Sequence, residues 1–348
     1  IVGDVKQSIY RWRNGDWGIL NSLGSSQSQP QLYNNSSQLS FPFPVRVETL
    51  KVNRRSETNV INFNNRLFTA AVDYLNSLHL EELKEAIRDD TVLVSIMFVN
   101  NEMGAVEDIK KISEIIKSKN KNMLFHVDAI QAYGKYKIVP KKMGIDLMSV
   151  SGHKIHGPKG SGFLYIKENT KIRPIIFGGG QQKGMRSGTE NVPAIAGLGL
   201  AAKLIYGGHS EKTEKLYELK KMLIDGLYKI GDDNKCADGS CGVVINGIDG
   251  IDIKETAPHV VSASFYGIKS EVLLHALAAK GVYVSSGSAC SSNHPELSGT
   301  LKAIGVSDEL LDSTIRFSFS VETTKEQVEY ALEVLKKQLP ILKRFIKQ

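Results

Sequence analysis

The chain has 348 residues, of which 41% are hydrophobic and 23% charged, and its formal net charge is +7. This composition is typical of a soluble globular protein with one large or two medium domains, and so modest a positive charge does not by itself indicate nucleic-acid binding. Three cysteines argue against a disulfide framework and fit a reducing cytoplasm, and no signal peptide or membrane-spanning apolar run is found. Because the first residue is Ile, we expect a fragment or a processed product.

The first 76 residues contain two motifs with basic side chains, the first of which also contains aromatic ones. They are Ile1-Val-Gly-Asp-Val-Lys-Gln7-Ser-Ile-Tyr-Arg11-Trp-Arg13 and Asn53-Arg-Arg55-Ser56. Both resemble conserved motifs of UvrD-like superfamily-one DNA helicases, in which a glutamine senses a nucleotide phosphate and an arginine contacts phosphate. The sequence has no Gly-x-x-x-x-Gly-Lys-Ser/Thr loop and no acidic magnesium-binding pair before Gln7. We therefore interpret residues 1–76 as an inert fragment of such a helicase.

From about Leu80 onward, helices and strands are predicted to alternate. Apolar residues at helical spacing and continuous apolar runs predict, in order, a helix at Glu81–Arg88, a strand at Thr91–Val99, a helix at Val106–Lys117, and strands at Met123–Asp128, Leu147–Val150 and Gly162–Ile166. This alternation predicts a mainly parallel sheet whose ligand site lies at the carboxyl ends of its strands.

A second unit is predicted after two further helices. The segments are helices at Asn191–Ile205 and Ser210–Ile230, strands at Val243–Ile245 and Val260–Phe265, a helix at Ser270–Ala279, a strand at Ile315–Phe319 and a final helix from Lys325. We interpret residues 77–208 as a large domain and residues 209–348 as a smaller α+β domain. The join to the helicase-like segment is predicted near Ser77.

Three reactive side chains stand in positions that favour chemistry. Lys154 follows a predicted strand in a small polar turn, where a Schiff-base lysine would be held. Asp128 closes another strand and could keep the pyridine nitrogen of pyridoxal phosphate protonated. Cys290 lies among small residues in Ser285-Ser-Gly-Ser-Ala-Cys290, and a cysteine that only packs would more often have apolar neighbours. The alternatives are a surface lysine and an aspartate that caps a helix.

Five segments in a fixed order carry a resemblance to a known family. They are Val99-Asn-Asn-Glu-Met-Gly104, His126-Val-Asp-Ala-Ile-Gln131, Ser151-Gly-His-Lys154, Gly178-Gly-Gly-Gln-Gln-Lys-Gly-Met-Arg186-Ser-Gly-Thr189 and Ser285-Ser-Gly-Ser-Ala-Cys290. Together they resemble the cysteine desulfurases of the class V aminotransferase group. The resemblance implies an α/β fold, the pyridoxal-phosphate transferase fold type I, with an incomplete, mainly parallel sheet and a smaller α+β C-terminal domain.

The resemblance also implies which residues hold the cofactor. Lys154 would bind pyridoxal 5'-phosphate as a Schiff base, and Asp128 would pair with its pyridine nitrogen. Asn101 and Gln131 would contact the phenolic oxygen of the ring or the substrate. The phosphate would be held by Ser151, His153 and, from the partner subunit of a homodimer, Thr189.

The substrate implied by the resemblance is L-cysteine. Arg316 would bind its α-carboxylate, a task that suits a planar guanidinium. Cys290 would attack its sulfur and carry a persulfide while alanine leaves. The sulfur would pass to an acceptor protein, either an iron–sulfur scaffold or a transfer-RNA thiolation enzyme, in the cytoplasm. No metal site is predicted.

The N-terminal part of the family pattern is missing. Cysteine desulfurases extend well before the counterpart of Leu80, and that part carries the first sheet strands, a phosphate loop and a histidine that stacks on the cofactor ring. None of these is found in residues 1–79, so we expect impaired activity. The alternative hypothesis is an inactive fusion that at most binds nucleic acid weakly or pairs with an intact subunit.

Overall fold

The computed structural model describes residues 80–236, 239, 241–248, 251–286 and 298–346, with the backbone alone at 345 and 346. The predicted helicase-like segment, residues 1–76, lies outside these residues, as does Cys290. Within the described residues the helices and strands form two four-stranded sheets, each with helices packed against it. The α/β class predicted from the sequence is therefore confirmed.

The first sheet holds strands in the order β1-β2-β3-β4, with the first three parallel and the last antiparallel. The strands are β1 (Leu93–Met97), β2 (Leu124–Asp128), β3 (Leu147–Ser151) and β4 (Gly162–Ile166), and the helices around them are α1 (residues 80–86), α2 (Ile109–Lys119) and α3 (Pro140–Met143). Side chains of β2 alternate, so Phe125 and Val127 are fully buried in the core.

Several predicted boundaries in this part of the chain were wrong by two or three residues, the start of α2 and the end of β1 among them. Helix α2 begins at Ile109 rather than Val106, because the side chain of Asp108 accepts a hydrogen bond from the backbone N–H of Lys111 at 3.1 Å and so caps the helix. Val106 instead forms an isolated antiparallel bridge with Val99. The apolar run therefore continues past the end of β1 into a turn, and Val99 packs in the core.

The second sheet is antiparallel throughout, in the order β5-β6-β8-β7. Its strands are β5 (Val243–Asn246), β6 (Val260–Phe265), β7 (Ser285–Ser286) and β8 (Thr314–Ser318). The remaining helices are α4 (Val192–Tyr206), α5 (His209–Asp233), α6 (Ser270–Ala278), α7 (Gly299–Ala303), α8 (Asp308–Leu311) and α9 (Lys325–Ile346). Leu227, Ala263 and Ile315 lie at the centre of this sheet's own core, where α5 and α9 cover it.

Each sheet thus has a separate hydrophobic cluster, and a third, smaller cluster lies between helix α4 and the segment after β3. The predicted domain boundaries at residues 77 and 209 remain predictions. Among the described residues, no helix combines the length and apolar character that crossing a bilayer requires.

Candidate active site

A cleft of about 220 Å³ lies where the carboxyl ends of β2 and β3 approach the second sheet. It contains five of the nine residues predicted to form the site, namely Asn101, Gln131, His153, Lys154 and Arg316. Lys135 and His259 also line it, and among the described residues of the lining there is no Asp or Glu. The cleft is therefore strongly cationic and suits an anionic ligand such as a phosphate or a carboxylate.

Lys154 is held by a short 3-10 helix, Gly152–Ile155, that follows β3 directly. Ile155 anchors this helix because its side chain is buried against Leu198 and Ile205 of helix α4. The ammonium group of Lys135 donates a hydrogen bond to the backbone carbonyl of Lys154 at 2.9 Å. The backbone of Lys154 is thus fixed from two sides, and its side chain lines the cleft from the edge of the first sheet.

Arg316 comes from the opposite side of the cleft, on strand β8. It is paired in register with Ser262 and Ser285. Its Nη1 donates to the backbone carbonyl of Asn101 at 2.8 Å, and its Nη2 lies 3.3 Å from the hydroxyl oxygen of Ser285. Because Asn101 follows β1, this hydrogen bond joins the second sheet to the carboxyl end of the first, and it fixes the guanidinium group at the cleft.

Two lining residues were missed by the sequence reasoning. Lys135 is buried, and burial together with the nearby charge of Lys154 lowers its pKa to about 8. His259 is buried just before β6, and its Nε2 lies 3.2 Å from the Oε1 of Gln131. Burial and then the charge of Lys135 hold the pKa of His259 well below 6.5. The only available signal was that Lys135 lies four residues after Gln131.

The other predicted residues lie near the cleft or outside the described part of the chain. Asp128 ends β2, and its Oδ1 accepts a hydrogen bond from the backbone N–H of Ile130 at 2.9 Å, so it does shape a turn. The hydroxyl oxygen of Ser151 lies 2.8 Å from Nδ1 of His153. Thr189 is exposed in a loop before α4. Neither Asp128, Ser151 nor Thr189 is among the residues that line the cleft.

Comparison with known proteins identifies the family. The sequence profile "Aminotransferase class-V" matches residues 62–331. The chain belongs to the class-V aminotransferase family. The match begins inside the segment that resembles a helicase, and no comparison supports that second resemblance, which stays a prediction.

Individual relatives of this class-V aminotransferase chain carry a more specific name. It is 42% identical over 266 residues to "Cysteine desulfurase IscS" of Clostridium botulinum (strain Hall), covering 76% of this chain and 64% of that relative. It is 42% identical over 264 residues to "Cysteine desulfurase IscS" of Methanosarcina thermophila, covering 76% and 61%. A solved structure titled "NIFS-LIKE PROTEIN" matches with a TM-score of 0.66 at 36% identity, covering 76% and 65%.

These matches confirm the predicted fold type I. They also show that the chain spans just under two thirds of the length of the curated relatives it matches. Enzymes of the class-V aminotransferase family depend on pyridoxal phosphate, and the chemistry of the cleft fits that cofactor. Its cations can balance a phosphate, and the amine of Lys154 can bind an aldehyde.

Proposed function

We propose that this chain forms the catalytic part of a pyridoxal-phosphate-dependent cysteine desulfurase, which converts L-cysteine to L-alanine and retains the sulfur as a persulfide on Cys290. The observation that carries the proposal is the meeting of Lys154 and Arg316, from different sheets, in one cleft without a described carboxylate. An amine that can bind an aldehyde and a guanidinium that can bind a carboxylate are the two groups that a cofactor-bound amino acid requires.

Pyridoxal phosphate, when bound, supplies an electron sink that labilises bonds at the α-carbon of an amino acid. The amine of Lys154 would hold the aldehyde carbon, and the rigid 3-10 helix would limit its position. Gln131 and Asn101 would contact the ring oxygen or the substrate. Asp128 would keep the pyridine nitrogen protonated. Ser151 and His153 would contact the phosphate, and the exposed Thr189 would contact the phosphate bound by the partner subunit of a homodimer.

Arg316 would select the substrate by its α-carboxylate. Its guanidinium group is already oriented by Asn101 and Ser285, so little side-chain freedom is lost when a carboxylate binds. The thiol of Cys290 would then take the substrate sulfur. An S–S bond forms between Cys290 and the substrate sulfur, and the C–S bond of cysteine breaks. The proton that the Cys290 thiol loses is matched by the hydrogen that the methyl group of alanine gains. L-cysteine plus the thiol thereby gives L-alanine plus the persulfide.

The remaining predictions on partners belong to the same proposal. The persulfide sulfur would pass to an acceptor protein, an iron–sulfur scaffold or a transfer-RNA thiolation enzyme, and the setting would be the cytoplasm. Impaired activity, expected because residues 1–79 lack the N-terminal pattern of the family, stays a prediction. The UvrD-like helicase fragment at residues 1–76 is retained as a hypothesis, and nucleotide-dependent DNA unwinding by the full chain would show that this fragment is not inert.

The first test is direct detection of the lysine-bound cofactor. The full chain is incubated with pyridoxal phosphate, and its visible absorption is recorded after gel filtration. We expect an absorption band that Lys154→Ala abolishes and that Lys159→Ala, at an exposed lysine on the following loop, leaves unchanged. A band that persists in Lys154→Ala would contradict the assignment of the Schiff-base lysine.

The second test measures alanine and sulfide formed from L-cysteine. Arg316→Lys keeps a positive charge but loses the two-pronged hydrogen bond. We expect KM for L-cysteine to rise about tenfold or more, since a hydrogen bond to a charged group contributes about 1.5–3 kcal/mol.

In the same assay, Cys290→Ser should abolish sulfur release while cofactor absorption persists. Release of alanine and sulfide at wild-type rates by Cys290→Ser would refute the persulfide step. A chain that binds the cofactor but converts no cysteine would favour the inactive fusion.

A further inference from the structure

Like Arg316, His259 connects the part of the chain that forms the second sheet to the first sheet's side of the cleft. Its backbone carbonyl accepts a hydrogen bond from the N–H of Phe319 at 2.9 Å, which fixes it at the start of β6. Its side chain is 5% exposed and reaches Gln131, 128 positions earlier in the sequence, with 3.2 Å between Nε2 and Oε1. Gln131 lies within the turn that follows the carboxyl end of β2. The imidazole is therefore held rigidly against one amide.

Burial and the surrounding charges together keep the imidazole neutral. Burial disfavours a charged ring most, and the charged groups that act on it, Lys135, Lys220, Arg316 and Lys154, are all cations that disfavour it further. The imidazole is thus neutral and carries a single N–H. A neutral histidine has one donor nitrogen and one acceptor nitrogen, so the location of that proton decides what the neighbouring amide must do.

The surroundings also decide which nitrogen carries the proton. Nδ1 is buried without a hydrogen-bonding partner among the described residues, whereas Nε2 lies within hydrogen-bonding distance of Gln131. A proton on Nδ1 would leave a buried N–H donor unsatisfied, at a cost of about 1–3 kcal/mol. The proton therefore belongs on Nε2, which donates to Oε1 of Gln131.

We propose that His259 is a positioning residue that fixes the orientation of the Gln131 amide, so that the cleft presents the N–H groups of Gln131, and not its oxygen, to the ring oxygen of the cofactor. Oε1 is occupied by the histidine, which leaves the two N–H bonds of Gln131 available to a ligand. Without His259 the amide is free to turn by half a rotation and offer an acceptor to an electron-rich oxygen. The role assigned to the ring oxygen rests on the proposed function.

The hydrogen bond itself is tested in the full chain without cofactor, by NMR of histidine labelled with ¹⁵N. The chain has eight histidines, and the resonance of His259 is the one that His259→Gln removes. We expect a neutral ring with the proton on Nε2 that does not titrate near the ordinary pKa of about 6.5. In His259→Leu the side-chain amide resonances of Gln131 should shift. A proton on Nδ1, an ordinary titration, or unshifted amide resonances would overturn the proposal.

Cofactor binding tests the consequence through a double-mutant cycle. We expect His259→Leu to raise Kd for pyridoxal phosphate about fivefold, as for a typical lost hydrogen bond. His259→Gln, whose terminal amide nitrogen can donate from nearly the place of Nε2, should restore most of the affinity. If His259 acts through Gln131, the variant Gln131→Ala/His259→Leu should bind no more weakly than Gln131→Ala alone. Losses that multiply, or no rescue by His259→Gln, would contradict the positioning role.

Two controls separate this inference from other failures. His275 is exposed on helix α6 and does not line the cleft, so His275→Leu should leave both the cofactor Kd and the Gln131 resonances unchanged. Thermal unfolding of each variant distinguishes loss of binding from loss of the fold. If the wild-type chain binds no pyridoxal phosphate, the proposed function fails, and the NMR result alone decides whether His259 orients Gln131.

Discussion

Lys220 is a fully buried lysine in helix α5 that has no carboxylate partner among the described residues. Its ammonium group donates to the hydroxyl of Thr256 at 2.6 Å and to the backbone carbonyl of Ala257 at 2.8 Å, and burial lowers its pKa from 10.5 to about 7. These two acceptors precede His259 in the same segment, between β5 and β6. Lys220 therefore fastens helix α5 to the segment that leads into the cleft.

The lowered pKa of Lys220 makes stability depend on pH. Between about pH 7 and 10.5 the unfolded chain holds a proton on Lys220 that the folded chain has lost, so the free energy of unfolding rises with pH in this window. The rise due to this group is at most about 1.4 kcal/mol per pH unit. We expect this rise in the free energy of unfolding to be absent from Lys220→Met when urea unfolding is measured at a series of pH values.

The neighbouring Lys221 gives a matched control for that experiment. It is exposed and pairs with Asp225 at 2.6 Å, so Lys221→Met should keep the wild-type slope of stability against pH. Comparing the two variants cancels the other groups that titrate in the window, Lys135 among them. Equal slopes in wild type and Lys220→Met would show that Lys220 is charged in the folded protein throughout the window.

At the scale of single residues, the sequence predicted the site residues whose neighbouring sequence indicates their role. Lys154 and Asn101 each follow a predicted strand, whereas Arg316 was implied only by the family resemblance, and the structure brings all three to one cleft. His259 and Lys220 could not be predicted in this way. Their roles depend on contacts with residues far away in sequence, and a lone buried histidine or lysine has no local pattern that distinguishes it.

At the scale of the elements, the segment after β2 is shaped by a glycine that packs beneath the site. Gly134 has a φ of +83°, and its backbone N–H donates to the hydroxyl of Tyr206 at 3.0 Å. A Cβ atom at this position would lie 2.9 Å from Cγ1 of Ile205 and 3.0 Å from Cγ2 of Ile155. Helix α4 and the 3-10 helix of Lys154 can thus approach this turn only because Gly134 has no side chain.

Gly134→Ala should therefore destabilise the fold and loosen the site together. We expect a loss of about 2–4 kcal/mol in the free energy of unfolding, from the left-handed backbone and from overpacking against Ile155 and Ile205. Gly160→Ala is the matched control, because Gly160 has a φ of +76° but no atom within 4 Å of its Cβ position. It should lose only the backbone part, about 1–2 kcal/mol. Equal losses measured by denaturant unfolding would refute the packing role.

Most helices and strands of the described part were predictable because their apolar periodicity is strong. The fully buried β6 and the alternating β2 both match their predicted bounds closely. The short elements α3, α7 and α8, of four or five residues, were not predicted, because so few residues carry no measurable period. The predicted start of α2 was wrong because the cap at Asp108, and not the apolar pattern, sets where a helix begins.

At the scale of the whole molecule, helix α4 carries apolar side chains both on its buried side and on its exposed side. Leu198 and Ile205 pack in the small cluster beneath Lys154, whereas Val192, Leu200 and Leu204 are 66%, 57% and 61% exposed. A helix that is hydrophobic all round is normally buried. The chain spans just under two thirds of the length of its matched relatives, so part of their structure has no counterpart in the match. The sequence did not predict which face of α4 is exposed, because apolar residues occur all round this helix.

An exposed apolar face of this kind should make the chain associate with copies of itself. We expect Leu200→Lys/Leu204→Lys to lower the average mass measured by light scattering at a given concentration. The free energy of association falls by about 25 cal/mol for each Å² of apolar surface that is no longer buried between copies. Both side chains are largely exposed within one chain, so the free energy of unfolding should change by less than about 1 kcal/mol. Asn122→Lys/Ser210→Lys adds the same two charges at exposed positions outside helix α4 and should leave the mass unchanged. If both double variants associate as strongly as the wild type, the exposed face of α4 does not drive association.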